Sequence, residues 1–262
     1  VYETEGEEIK NFLGEIWEAM KESICFGLNA EGIIPGKLQL SKRAKSIYNN
    51  KIENEPTEVK RTRLLTAYAY AVSETNASGG EIVTAPTCGS CGVLPATLYY
   101  LQKEDKYTDE EIINALATAG IIGNIVKTNA SISGAECGCQ AEIGTACSMA
   151  AAACSQLRKL DIYKIEHAAE IAMEHHLGLT CDPIYGYVQI PCIERNAVAA
   201  IRAIDASNIS MLLDENQKIS FDLITETMYE TGKDLRSHYR ETSTGGLAKK
   251  YCRNKYYNTD ME

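Results

Sequence analysis

Cysteine is the residue type in this chain whose number and placement could support chemistry. The chain has ten cysteines among 262 residues, and cytosolic thiols bind metals or react more often than they form disulfides. Cys139, Cys181 and Cys192 lie beside Gly, Pro or Asp in polar segments, away from apolar helical faces. Three thiolates could hold a four-iron cluster and leave one iron open as a Lewis acid. Three unrelated buried thiols would give the same pattern.

A second arrangement of cysteines is the pair Cys88 and Cys91 in the segment PTCGSCG. The spacing C-x-x-C occurs in zinc half-sites and in redox pairs. No second C-x-x-C completes a zinc site, and the βαβ setting of a thioredoxin motif is missing from the sequence. The glycines around the pair indicate that the backbone approaches a ligand closely. A structural role and a metal or redox role both stay open.

The composition excludes several functional classes. The formal charge of −10 and the pI near 5.1 argue against a nucleic-acid surface. A run of about 18 apolar residues, which a membrane span needs, is missing from the sequence. The first twenty residues carry acids where a signal peptide would be basic. We therefore expect a cytoplasmic protein, with no nucleic-acid or membrane partner.

Apolar residues recur at helical spacing along most of the chain, which predicts one all-α domain. The predicted helices span residues 12–27, 56–72, 95–102, 109–126, 141–160, 165–177, 194–213 and 221–233. Thr108 or Asp109 is suited to cap the fourth of them. Three polar loops at 76–92, 127–139 and 178–191 could converge on a single site, and the tail from about residue 241 is expected to be flexible.

Four stretches of the sequence carry a resemblance to a known family. Two of them are KTNASISGAECGCQAEIGTACSMAAAA at 127–153 and MEHHLGLTCDPIYGYVQIPCIERNAVAAI at 173–201. The others are PTCGSCGVLPA at 86–96 and YRETSTGGLA at 239–248. Together they resemble the alpha domain of iron–sulfur-dependent L-serine dehydratases, over about residues 14–252. The resemblance implies an all-helical fold, a [4Fe-4S] cluster, and conversion of L-serine to pyruvate and ammonia.

The resemblance also implies which cysteines hold the cluster. The cysteine of GCQ is Cys139, that of TCDP is Cys181, and that of PCIERN is Cys192. Their separations of 42 and 11 positions match the ligand spacing of the family. Cys137 stands where relatives usually have an apolar residue, and PTCGSCG replaces a version that often has Asn and Ala at its cysteines. These additional cysteines are therefore not expected to be ligands.

Polar side chains in two of the loops are the candidates for binding the substrate. They are Thr87, Ser90, Lys127, Asn129, Ser131 and Ser133. Loop and cap hydrogen bonding would explain the hydroxyls and the amide equally well. The base that removes the Cα proton must titrate near neutrality, and His175, which matches the MEH of the family pattern, is the leading candidate beside His176 and Lys127. No lysine suggests a pyridoxal phosphate Schiff base, so that cofactor is not expected.

The family also includes members with an amino-terminal beta domain, which this sequence does not contain. The chain therefore resembles the two-subunit type, and we expect a separate beta subunit and an oligomer. One alternative is a lyase similar to L-cysteine desulfidase, which would expel sulfide in place of hydroxide. Another is a non-catalytic iron–sulfur protein. The SISGAE and PCIERN segments fit the serine enzymes better.

Cys252 is a candidate for a displaceable fourth ligand. It follows the Gly-Gly-Leu-Ala segment by four positions, and some family members end shortly after this segment with a cysteine that can occupy the open iron. Ten residues follow Cys252, however, and Lys249, Lys250 and Arg253 lie close to it. This setting is more typical of a solvated tail than of a ligand.

Overall fold

The computed structural model describes residues 1–214, 216–242 and 244–254, and this part of the chain is all-helical, as the sequence predicts. Strand-like pairing within it is limited to one isolated bridge between Ile33 and Ser41. The α-helices are α1 Tyr2–Glu5, α2 Glu8–Asn29, α3 Ala44–Asn49, α4 Thr57–Ala77, α5 Val93–Asp105, α6 Asp109–Asn129, α7 Gly134–Cys137, α8 Thr145–Leu157, α9 Ile162–Glu174, α10 Cys192–Leu212, α11 Phe221–Asp234 and α12 Gly246–Arg253.

Helix α8 lies at the centre of the fold because its side chains are small and mostly apolar. Every residue of its sequence TACSMAAAACSQL is buried except Gln156. A helix without a polar face cannot lie against solvent, and it is surrounded by other helices. Helix α8 packs against α5, α6, α9 and α10. This central helix begins six residues after Cys139, so it provides a rigid support for the loop that ends there.

Helices α2, α3 and α4 form a layer beside α10 and α5. Leu65 and Val72 of α4 are fully buried, as are Trp17 and Met20 of α2. Gly27 allows α2 to approach α4 closely, because a Cβ at this position would collide with the backbone of Ala71. On the opposite side of the fold, α11 packs against α9 and α7.

The long helices agree with the sequence-based prediction to within a few residues. Thr108 caps α6 through a capping box with Glu111, which confirms the predicted cap. The short helices α1, α3, α7 and α12 were not predicted. Helix α12 lies in the tail, whose residues 255–262 are outside the described part of the chain. None of the helices in the described ranges is both long and apolar enough to cross a membrane.

Candidate metal centre

The three polar loops converge at the side chain of Glu142. The hydroxyl of Thr87, from the first loop, donates a hydrogen bond of 2.7 Å to Glu142 Oε1. A Cβ placed on Gly134, in the second loop, would lie 2.5 Å from Glu142 Oε2 and 3.1 Å from the Sγ of Cys181 in the third. The convergence expected from the sequence is therefore confirmed, and glycine at position 134 keeps space open at the meeting point.

Two of the predicted cluster cysteines lie side by side at this point. The Sγ atoms of Cys139 and Cys181 and a carboxylate oxygen of Glu142 are all within 4.8 Å of one another. Cys192, the first residue of α10, is buried like the other two. Cys139 immediately precedes a π-helical turn over residues 140–144, which leads into α8. Such turns are rare and frequently occur at functional sites.

The electrostatics of the thiols show that the three cysteines and Arg195 interact. Interaction with the neighbouring Cys181 thiol, followed by the positive charge of Arg195, lowers the pKa of Cys139. The same interaction with Cys139, together with burial, raises the pKa of Cys181. Burial, followed by the charge of Cys139, raises the pKa of Cys192 to about 12. Binding a metal would release these protons, because the thiolate is the ligand.

Gln140, adjacent to Cys139, anchors the second loop to its neighbours. Its side-chain nitrogen donates to the carbonyl oxygen of Met228 on α11 at 2.8 Å. Its side-chain oxygen accepts from the backbone N–H of Gly178, at the start of the third loop, at 2.7 Å. Because Gln140 is fully buried, these bonds are shielded from water and fix the position of Cys139.

Asn196, four residues after Cys192, anchors the first loop. Its side-chain nitrogen donates to the carbonyl oxygen of Gly89 at 2.8 Å, and its side-chain oxygen accepts from the N–H of Gly92 at 2.8 Å. These contacts hold the C-x-x-C segment against α10. The glycines of this segment allow its backbone to lie close to that helix. Cys88 is exposed and Cys91 is buried.

Cys137 packs against α11. A Cβ on Gly232 of that helix would collide with the side chain of Cys137, whose Sγ is 3.9 Å from the carbonyl oxygen of Tyr229. The structure thus places Cys137 among the residues of α11, although it is only two positions from Cys139.

The candidate substrate residues occupy two different environments. Thr87 lies at the convergence point, and its hydroxyl is 3.1 Å from that of Ser90, with which it forms a capping box. Ser133 precedes Gly134, and its backbone N–H donates to the hydroxyl of Ser131 at 3.1 Å. By contrast, Lys127 and Asn129 are exposed in the last turn of α6.

The two adjacent histidines also differ in their surroundings. His175 ends α9 with its side chain 64% exposed, and its Nδ1–H donates to the carbonyl oxygen of Ile171. His176 is buried behind the π-helical turn, where a Cβ on Gly144 would lie 3.2 Å from its own Cβ. Burial lowers the pKa of His176 to about 4, so this imidazole is neutral near pH 7. The assignment of the base to His175 stays a prediction.

The buried His176 should make the protein sensitive to acid. Its pKa is about 4 when folded and about 6.5 when unfolded, so the unfolded state binds more protons between these values. Stability should therefore fall as the pH drops through this window, by up to about 3 kcal/mol from this group. Urea unfolding of His176→Gln at pH 7 and pH 4.5 should show a smaller pH dependence than the wild type. His175→Gln, at the exposed neighbouring position, is the control. An equal pH dependence of stability in all three proteins would contradict the lowered pKa of His176.

The tail is hydrogen-bonded to the backbone of Cys181. The backbone N–H of Cys181 donates to the carbonyl oxygen of Tyr239 at 2.8 Å, and the N–H of Thr242 donates to the carbonyl oxygen of Cys181 at 3.2 Å. The buried carboxylate of Asp182 accepts from the N–H of Leu247 in α12 at 2.6 Å. Cys252, in the same helix, is exposed. Its role as a fourth ligand stays a prediction.

Gly246 is required for this attachment of the tail. Its φ of +48° favours glycine, and a Cβ would collide with the carboxylate of Asp182. Gly246→Ala should therefore release residues 239–242 and 244–254, which faster amide hydrogen exchange over these residues would show. Gly32→Ala is a matched control, since Gly32 has a φ of +97° and a Cβ placed on it would have no atom within 4 Å. Unchanged exchange in Gly246→Ala would contradict this account of the tail.

Comparison with known proteins identifies the family. The family model described as "Serine dehydratase alpha chain" matches residues 2–248. The chain belongs to this family. The matched region includes all three candidate ligand cysteines and ends before Cys252.

Several curated members of the serine dehydratase family are similar to this chain. L-serine dehydratase of Haemophilus influenzae is 48% identical over 250 residues, which cover 93% of this chain and 54% of that protein. L-serine dehydratase 2 of Escherichia coli is 47% identical over 251 residues, covering 93% and 54%. L-serine dehydratase of Streptomyces coelicolor is 46% identical over 243 residues, covering 92% and 53%. The chain thus spans about half the length of these relatives.

Sequence reasoning missed three polar residues that organise the site. Glu142 lies at the meeting point of the loops, Asp182 holds the tail, and Arg195 donates to the carbonyl oxygen of Thr180 at 2.6 Å. Each lies one to three positions from a candidate ligand cysteine, in the motifs GCQAE, TCDP and PCIER. Their proximity to the cysteines in sequence was the available signal.

Proposed function

We propose that this chain is the cluster-binding part of an L-serine dehydratase, which converts L-serine to pyruvate and ammonia in the cytoplasm. The observation that carries the proposal is the convergence of the buried Cys139 and Cys181 with the half-buried Glu142 at the junction of three polar loops. Membership in the serine dehydratase alpha chain family and the names of the similar proteins support it.

The residues present fit a [4Fe-4S] cluster held by Cys139, Cys181 and Cys192. All three thiols are buried, and the sulfurs of Cys139 and Cys181 lie within 4.8 Å of each other. Arg195 places a positive charge near them, which would offset the negative charge of three thiolates. When bound, a cluster with one iron free of protein thiolates supplies a Lewis acid that helps the hydroxyl group of serine to leave.

The polar residues of the loops would bind and orient the substrate. Thr87 donates its hydroxyl proton to Glu142, so its oxygen would act toward the ammonium group of serine as a hydrogen-bond acceptor. The carboxylate of Glu142 would attract the same group. Ser90, Ser131 and Ser133 belong to the same two loops, and their hydroxyls would add hydrogen bonds to the substrate.

The substrate carboxylate and the Cα proton need further groups. We assign Lys127 and Asn129, exposed at the end of α6, to the rim of the site, where a cation and an amide can meet the carboxylate. We assign removal of the Cα proton to His175 or to a base on the beta part of the enzyme. The proposal gives pyridoxal phosphate no role.

The beta part of the enzyme is a further element of the proposal. The chain spans about half the length of the similar L-serine dehydratases. We propose that a beta part completes the active site and that the enzyme assembles as an oligomer.

Anaerobic turnover assays test the proposed function. The chain together with its beta part should form pyruvate from L-serine much faster than it forms sulfide from L-cysteine, and exposure to air should remove the activity. Turnover of cysteine alone would instead support a lyase that expels sulfide. A protein that holds its cluster but turns over neither amino acid would support a non-catalytic iron–sulfur protein.

A further inference from the structure

The proposed dehydratase site leaves the cysteine pair Cys88 and Cys91 without a role. Among the described residues, the side chains close enough to hold a metal are Cys139, Glu142 and Cys181, and neither member of the pair belongs to this group. The two thiols differ in access to solvent, since Cys88 is exposed and Cys91 is fully buried. A reagent dissolved in water therefore reaches Cys88 first.

The backbone between the two cysteines has the geometry that a disulfide needs. Residues Cys88–Ser90 form a 3-10 turn, and the backbone N–H of Cys91 donates to the carbonyl oxygen of Cys88 at 3.5 Å. In such a turn, side chains three positions apart are eclipsed and their Cα atoms lie about 6 Å apart. Disulfides most often join Cα atoms that are about 5.5–6 Å apart. The two thiols can thus be joined without refolding of the turn.

Neighbouring helices hold this turn in place. The side-chain nitrogen of Asn76, on α4, donates to the carbonyl oxygen of Cys88 at 3.2 Å. The buried side chain of Asn196, on α10, contacts the backbone of Gly89 and Gly92, the residues that follow the two cysteines. A turn that is fixed from two sides keeps the cysteines close together before any bond forms. This preorganisation favours a disulfide within the turn over one with a separate molecule.

The different surroundings of the two thiols separate their roles in such a reaction. Burial, followed by the charge of Cys88, raises the pKa of the Cys91 thiol. Cys91 therefore stays protonated and does not compete for a disulfide in solution, because the thiolate is the nucleophile. Once a mixed disulfide stands on Cys88, however, Cys91 is three positions away, and an attack within one molecule proceeds at a high effective concentration.

We propose that Cys88 and Cys91 form a thiol–disulfide exchange site for small disulfide compounds. The Cys88 thiolate attacks one sulfur of the compound, whose S–S bond breaks and releases a first thiolate. The sulfur of Cys91 then attacks that of Cys88, and the second thiolate leaves with the proton of Cys91. The cysteine pair is oxidised by two electrons, and the compound is reduced to two thiols. The site does not depend on serine or on the cluster.

Mass spectrometry after anaerobic incubation of the full chain with excess glutathione disulfide tests the proposal. Thiols that remain are blocked with N-ethylmaleimide, and trypsin then releases residues 64–103, in which Cys88 and Cys91 are the only cysteines. We expect this peptide to lose two hydrogens and to carry neither maleimide nor glutathione. Treatment with dithiothreitol before the blocking step should restore two maleimide-reactive thiols.

Two variants separate the roles of the cysteines. Cys91→Ala removes the second thiol without adding a polar group to the core, and its peptide should keep one glutathione on Cys88. Cys25→Ser removes a different exposed thiol, on α2, and its 64–103 peptide should behave like that of the wild type.

The wild-type peptide decides the outcome even if Cys91→Ala does not fold. The proposal is overturned if this peptide retains glutathione, or if both of its thiols stay free. A disulfide from Cys88 or Cys91 to a cysteine outside residues 64–103 would likewise overturn it.

Discussion

Cys181→Ala is expected to abolish cluster binding and serine turnover together. Cys181 is buried beside Cys139 and Glu142, and its removal would leave two of the three proposed thiolate ligands. Two thiolates cannot hold a four-iron cluster in the proposed manner. After anaerobic purification, the variant should lack the broad visible absorption and nearly all of the iron of the wild type.

The control for this variant is a buried cysteine elsewhere in the core. Cys147 lies in α8, where its Sγ donates to the carbonyl oxygen of Ala199 at 3.3 Å. Cys147→Ala removes a thiol of similar burial and should retain both iron and absorption, as should Cys154→Ala in the same helix. A full complement of four irons in Cys181→Ala would show that the assignment of the ligand is wrong.

Glu142→Gln is expected to lower serine turnover by about 100-fold while leaving the iron content unchanged. The carboxylate accepts from Thr87 through one oxygen and is 3.8 Å from the Sγ of Cys181 through the other. An amide keeps an acceptor for Thr87 but removes the negative charge that would attract the ammonium group of serine, so the substrate would be held out of position. Misplacement of a substrate-binding group by about 1 Å can cost this much rate.

The comparison variant is Glu136→Gln, six positions earlier. Glu136 is exposed and pairs with Lys233, so its replacement should leave turnover close to that of the wild type. Measurement of kcat and KM separately, with iron analysis on the same samples, distinguishes a positioning effect from loss of the cluster. Equal turnover in Glu142→Gln and wild type would show that Glu142 does not position the substrate.

The long helices could be predicted from the sequence because each carries its own periodic signal. Helix α8 is an example, since a run of alanines predicts both helicity and close packing. The turn at 140–144 could not be predicted, because a π-helical turn depends on tertiary contacts such as those of Gln140 with Met228 and Gly178. The short helix α3 is similarly too brief to show a periodic pattern.

Sequence motifs allowed the candidate ligand cysteines to be predicted. They did not predict which polar side chains lie beside those cysteines, because that depends on the fold. The three cysteines follow from the family resemblance, and the structure places Cys139 and Cys181 together. Which polar residues lie at the convergence point depends on how the helices pack. Thr87 lies there while Lys127 is exposed, and both belong to polar loops that looked equivalent in the sequence.

Iron and acid-labile sulfide in the anaerobically reconstituted protein test the central claim most directly. We predict about four irons and four sulfides per chain, with the visible absorption of a [4Fe-4S] cluster. Cys139, Glu142 and Cys181 are also close enough to hold a single ion. One metal ion per chain without sulfide, retained after reconstitution with excess iron and sulfide, would contradict the cluster and the mechanism proposed with it.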